Sequence, residues 1–373
     1  MQLLIPHPSQ VFASSPSQLL ESLQDIAHNV RIKSNFCISH PNYKLLELPE
    51  KVVERFQQFP LDLQSKYLSL QLRGFLYGLY YNGSLQEVLK LESDAVDISV
   101  HQNLENNTYL GINLEFYGKL HASNCGNGYF NPGWLVVNQE KNGTLAIKRG
   151  GLTLHIEPEQ HLQPTERSAS IGDSVAIQMP RNLFQNGFYV AVGNAGLESP
   201  GNSNTHSQTV RVYFNLSPEG AVTIMANLTA QLNALNIPFS FKALYNPSDY
   251  GRYDSAVLYF ERNHYESIHP ILQKVYASHQ FHFQPEVPLF TKWLAPGLSL
   301  AEEPDCKFVT KESFGLNRCQ IVANGLLEAW EKGYDSAEIR MDFILQHFAQ
   351  LGINWQQPYL NANSEDIYRE LDL

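Results

Sequence analysis

Arginine and lysine at alternating strand positions are the side chains of this sequence best suited to chemistry. In Val210-Arg211-Val212-Tyr213-Phe214-Asn215 the two-residue period of a strand puts Val210, Val212 and Phe214 on one face. Arg211, Tyr213 and Asn215 then share the other. In Phe239-Ser240-Phe241-Lys242-Ala243 the phenylalanines face one way, and Lys242 faces with Ser240. Lys148 stands likewise opposite Leu145 and Ile147, and Arg252 lies in a glycine-loosened turn, Tyr250-Gly251-Arg252-Tyr253-Asp254. Several cations on one face of a sheet make a site for an anion, and a planar guanidinium suits bidentate recognition of phosphate or carboxylate. The same residues also fit a solvated sheet face with ordinary salt bridges to Glu and Asp. Spacing alone leaves both readings open.

The elements that must position these side chains follow from periodicity and punctuation. Apolar periodicity predicts helices over 19–26, 52–59 and 61–81, the last with a stripe of Leu70, Phe75, Leu79 and neighbouring tyrosines, stopped at Asn82-Gly83. From Cys125 the character changes to short strands between turn residues. Strands are expected over 144–148 and 152–156, flanking Arg149-Gly150-Gly151 as a hairpin, and over 174–179, 188–193, 209–216, 239–244 and 256–260. A helix over 218–235 joins the Arg211 and Lys242 strands, which should therefore lie close together. Two helices, 317–332 and 337–351, end the chain, while 198–206 reads as a mobile loop. The stretch 290–304, rich in Pro and Gly, reads as an irregular cover over a cleft, with Glu302 and Glu303 on its surface. The expected class is α+β: an antiparallel or mixed sheet with flanking helices, divided into a helical N-terminal region (1–125) and an α+β domain (126–373).

Composition removes several functions. The chain has 373 residues, a net charge of −11 and no basic tract, which argues against nucleic acid as a partner. Its 4 scattered cysteines contain no CxxC pair and read as reduced thiols in a cytoplasmic protein. No apolar run is long enough to cross a membrane. The N-terminus lacks the basic and apolar stretches of a secretory signal. No phosphate loop, dinucleotide fingerprint, nucleophile elbow or HExxH helix occurs, and no cofactor is indicated. His279 and His282 lack a third ligand nearby, so no metal is expected.

The stretches GFYVAVGNAG, RVYFNLSPEGA, LNIPFSFKALYNPSDYGRYDSAVLYF, PLFTKWLAPGLSLAEEP and ESFGLNRCQIVANGLLEAW, in this order, resemble the HopA class of type III effector homologues. The resemblance covers residues 125–373 and the N-terminal helices only weakly. Members of that class occur in gene clusters for ribosomally made, lanthipeptide-type peptides and are distantly similar to phosphothreonine lyases. Those lyases carry a Lys base and a His acid two residues apart on a strand. A helix, a Phe-Lys strand and an Arg in a turn follow.

This sequence keeps the order, with Arg211 and Tyr213 in place of the Lys and the His. Guanidinium stays protonated and is a poor base, though a good clamp for phosphate or a developing enolate. The resemblance thus implies β-elimination of phosphate from phosphoserine or phosphothreonine in a precursor peptide, giving a dehydroamino acid. Lys242, with Lys148 second, is the expected base, since burial and cationic neighbours favour a neutral amine. Tyr213 is the expected acid. Arg211, Arg252 and Arg318 would hold phosphate, with Asp254 orienting Arg252 and Asn215 in support. A cluster-encoded kinase would supply the substrate. The alternatives are a non-catalytic module that binds a peptide or kinase, and a translocated effector.

Overall fold

Proline, asparagine and glycine set the limits of the N-terminal helices. Helix α1 (Pro16–Asn29) begins at a proline, and α2 (Glu50–Phe56) and α3 (Leu61–Leu76) directly follow Pro49 and Pro60. The chain runs on from α3 through a wider π turn, Tyr77–Tyr81, to Asn82 and Gly83. The φ of +72° at Gly83 is one that a side chain disfavours, and it ends the run. The computed structural model describes residues 16–33, 36–91, 108–109, 111–197 and 208–373. The loop expected over 198–206 lies outside the described residues.

Between α1 and α2 the chain makes a small antiparallel sheet of β1 (Arg31–Lys33), β2 (Cys37–His40) and β3 (Tyr43–Leu46), which the helical reading of this region missed. The short α4 (Gln86–Leu89), the pair β4 (Thr108–Tyr109) and β5 (Ile112–Asn113), and α5 (Leu114–Ser123) follow. The Asn113 side chain caps α5 by accepting from the Phe116 N–H at 2.9 Å.

A second antiparallel sheet contains β6 (Tyr129–Gln139), β7 (Leu145–Arg149), β8 (Leu152–Ile156) and β9 (Ser174–Met179), in the order β8-β7-β6-β9. The hairpin expected at Gly150-Gly151 joins β7 to β8. One sheet face closes on its own core of Trp134, Val136, Leu145, Ile147, Val175 and Ile177, with the short α6 (Pro158–His161) alongside.

The third sheet has seven strands, and every pairing is antiparallel. In chain order they are β10 (Asn182–Gln185), β11 (Phe188–Val192), β12 (Thr209–Phe214), β13 (Ser240–Leu244), β14 (Ala256–Glu261), β15 (Lys292–Ala295) and β16 (Leu298–Glu302). In space the order is β10-β11-β13-β14-β12-β16-β15. Helix α7 (Pro218–Ala234) carries the chain from β12 to β13, and α8 (Tyr265–His279), which periodicity did not reveal, follows β14.

Alternation divides the faces as expected. Val210, Val212, Phe214, Phe241, Leu258 and Leu300 pack into one core with Ile224 and Leu228 of α7 and with Leu272 of α8. On the opposite face Tyr213, Val257 and Ala301 pack with Leu72 and Phe75 of α3. They also meet Phe314 of α9 (Phe314–Glu331) and Ile344 of α10 (Ala337–Gln350). Two glycines of α9 permit this closeness. A Cβ at Gly315 would lie 2.3 Å from the Tyr81 ring, and one at Gly325 would lie 2.7 Å from the Ile344 Cα. The fold is α+β with a helical N-terminal region.

Four expectations change. Arg211 and Lys242 are not on neighbouring strands, because β14 is inserted between β12 and β13. The stretch 290–304 is not irregular: Pro296 and Gly297 are the turn of the β15–β16 hairpin. Glu302 is not on the surface but completely buried, accepting from Gln208, Ser364, Tyr368 and the Asn361 N–H. Leu70 is exposed, and Leu68 and Leu72 take its place on the apolar stripe of α3.

Candidate anion-binding cleft

The half of the sheet that α9 leaves uncovered forms the floor of a cavity of about 450 Å³. Register sets its layout. Ser240, Tyr259 and Arg211 lie side by side across β13, β14 and β12 and point to one face. One step of two residues along, Lys242, Val257 and Tyr213 form the next row. Arg211, Ser240, Lys242 and Tyr259 line the cavity. The segment after β16 supplies the facing wall, with Glu303, Lys307, Lys311 and Glu312. Four cations thus meet two carboxylates. Ser313, the N-cap of α9, lies at the same wall and brings the positive end of an 18-residue helix to the site.

Arg211 is 9% exposed, and its Nε and Nη2 both contact Glu303 Oε2. Its guanidinium carbon stands 5.1 Å from the centre of the Tyr259 ring. Burial pulls the Arg211 pKa down, but Tyr259, Tyr213 and Glu303 outweigh it and hold the value above the ordinary one, so the charge is permanent. The other carboxylate oxygen of Glu303 takes Lys307.

The Lys242 Nζ lies 4.4 Å from the Phe188 ring centre and 5.3 Å from that of Tyr259. Rings on two sides place the ammonium against π-electron density. Among the described residues no carboxylate pairs with it. Glu312 is 2% exposed, and its Oε2 accepts from the Phe308 N–H at 3.0 Å and from Asn317 Nδ2 at 2.9 Å. Among the described residues its Oε1 has no hydrogen-bond partner, and it lies 3.8 Å from Arg73.

Of the residues singled out from the sequence, Arg211 and Lys242 meet in this cavity. Tyr213 faces the same way but sits beneath Tyr81 and Phe314, each ring 6.3 Å away, and is 3% exposed. Burial pushes its phenol well above the usual range, against the opposing pull of Arg211. Asn215 is buried, and its amide donates to the Glu286 carbonyl at 3.0 Å.

Arg252 and Asp254 form a bidentate pair at 2.5 and 2.9 Å, and Tyr77 also donates to Asp254 at 3.2 Å. This pair is not among the cavity-lining residues. Arg318 is 1% exposed and donates to the carbonyls of Pro358 and Leu360 and to Asn317 Oδ1, pinning the C-terminal segment rather than facing the cleft. Loss of hydration pulls the Arg318 pKa down to about 10. Lys148 belongs to β7 in the other sheet and is exposed. The rings of His279 and His282 are 6.3 Å apart, and among the described residues no cluster of His, Cys, Asp or Glu is arranged for a metal ion.

Sequence reasoning missed Tyr259, Glu303, Lys307 and Lys311. Tyr259 was accessible to the same alternation that placed Arg211, since Val257 and Tyr259 oppose Leu258 and Phe260 on β14. The residues of the facing wall carry no periodic signal, because a loop delivers them.

Residues 179–360 match the profile of the HopA1 effector protein family, a stretch that contains the whole cavity lining and excludes Lys148. Two solved structures are similar to the chain, each 16% identical and covering 67% of this chain and 81% of its own. One is the effector protein from Pseudomonas syringae pv. syringae strain 61, with a TM-score of 0.39. The other is the effector protein from Pseudomonas syringae pv. tomato strain DC3000, with a TM-score of 0.38. No curated protein matches the sequence. Among the described residues no helix is long and apolar enough to cross a membrane.

Proposed function

We propose, from the premise that the chain belongs through residues 179–360 to the HopA1 effector protein family, that its cleft takes a phosphorylated Ser or Thr of a peptide and eliminates the phosphate. One observation carries the reading: four cations surround a cavity of about 450 Å³, and Lys242 has no carboxylate partner among the described residues. Phosphate would sit against Arg211, Lys307 and Lys311, where charge-assisted hydrogen bonds are strongest. Lys242 would remove the α-proton, and nearby cations would stabilise the enolate. The product is a dehydroamino acid, and a kinase must act first. The four unpaired cysteines suit a reducing compartment such as the cytoplasm.

A second reading, a non-catalytic module for a phosphopeptide or a kinase, is favoured by two specific features. Glu303 already occupies Arg211, and Tyr213 is sealed under Phe314. In a host cell either activity would make the protein an effector.

Mass spectrometry of a phosphothreonine precursor peptide incubated with the protein and with a Lys242→Ala variant separates the two. The lyase reading expects loss of phosphoric acid, abolished in the variant. Unchanged mass together with measurable binding would establish the module.

A further inference from the structure

The geometry points to Tyr259 as the group that protonates the departing phosphate, an inference that rests on the lyase reading above. The role needs a hydroxyl in the cavity, near both the base and the phosphate-holding cations. Tyr213 fails on position, because Tyr81 and Phe314 cover it and it does not line the cavity. Tyr259 meets each condition. It lines the cavity from the middle of β14, in one row with Arg211 and Ser240. Its ring centre lies 5.1 Å from the Arg211 guanidinium and 5.3 Å from Lys242 Nζ. Among the described residues nothing accepts from its hydroxyl.

Chemistry supplies the reason for an acid. When the Cβ–O bond breaks, its electron pair goes to the phosphate oxygen. A phosphate dianion leaving in this way would depart as the trianion, a stronger base than a phenolate. A phenol hydroxyl beside that oxygen can therefore give it a proton as the bond breaks. Lys242 meanwhile takes the α-proton, and the C–H electron pair becomes the Cα=Cβ bond. The site is left with an ammonium at Lys242 and a phenolate at Tyr259. Transfer of one proton from the first to the second restores both, so the cycle consumes nothing but the phosphopeptide.

The test compares two leaving groups. Sulfate leaves as a weakly basic dianion and needs no acid, whereas phosphate does. Wild type and Tyr259→Phe, which keeps the ring beneath Arg211 and Lys242, are assayed on a phosphothreonine peptide and on the same peptide carrying sulfothreonine. The expected result is a fall in kcat of about 100-fold or more on the phosphopeptide, with less than about fivefold on the sulfopeptide and little change in phosphopeptide Kd. Equal losses on both peptides, or no loss on either, would overturn the assignment of Tyr259 while leaving the lyase reading in place. If wild type eliminates neither group, the lyase reading falls and Tyr259 falls with it. Circular dichroism of the variant guards against misfolding, and a folded Tyr259→Trp variant with the same leaving-group pattern would support the same conclusion.

Discussion

Glu303 holds Arg211 through one carboxylate oxygen and Lys307 through the other. On the proposed function, an incoming phosphate would meet cations already carrying a carboxylate, and would have to displace it or share them. Removing that charge should favour the ligand. Glu303→Gln is expected to tighten binding of a phosphothreonine peptide by about tenfold, or ~1.4 kcal/mol, in calorimetric titration at low salt. Unchanged affinity would mean that Glu303 does not compete for the anion. The identity of Arg211 and Lys242 as cleft residues was readable from strand alternation, because a two-residue period is a local property. Their distance from Arg252 and Arg318 was not. Arg252 pairs with Asp254 two residues on, the partner its own turn offered, with Tyr77 donating to the same carboxylate; Arg318 instead binds the carbonyls of Pro358 and Leu360, about 40 residues away, which no local pattern encodes.

At the scale of elements, α9 is the plate that decides how much of the sheet is open, and its seating depends on small residues. Gly325 stands where a methyl group would press on the backbone of α10, an obstacle that cannot rotate away. Gly325→Ala should cost about 1–3 kcal/mol, seen as a lower urea midpoint with an unchanged m-value. Gly74, inside α3, has nothing within 4 Å of its missing Cβ. Gly74→Ala should therefore raise stability by about 0.5–1 kcal/mol in the same titration. Opposite signs in two glycines would separate close packing from helix propensity. Helices α9 and α10 were legible within a few residues because Ser336 caps α10 and Gly333 and Gly352 follow the two, whereas the Ser313 cap of α9, before the expected start at 317, was not read. Helix α8 was missed, with Pro270 inside it and with histidines, Tyr and Gln diluting its apolar stripe.

Across the whole molecule, Glu302 ties the sheet to the end of the chain. It is buried in β16 and takes hydrogen bonds from Gln208, Ser364, Tyr368 and the Asn361 backbone. Glu302→Ala would leave these donors without their acceptor, at a cost of about 3–5 kcal/mol. Thermal denaturation should show the drop, and limited proteolysis should cut first within 361–373; an unshifted Tm would deny the tail this role. Sequence reading placed Glu302 on the surface because only the returning tail, some 60 residues later, buries it. The α+β class was legible because it depends on element types, whereas strand order depends on which partner arrives. That order has a further meaning for how the molecule comes into being. β14 is made after β12, α7 and β13, yet lies between the two strands. On the ribosome, a nascent chain that ends at β13 holds Arg211 and Lys242 with no strand to join them. The floor of the cleft is joined in one event, when residues 256–261 emerge and slot into place, and its facing wall follows with residues 303–313.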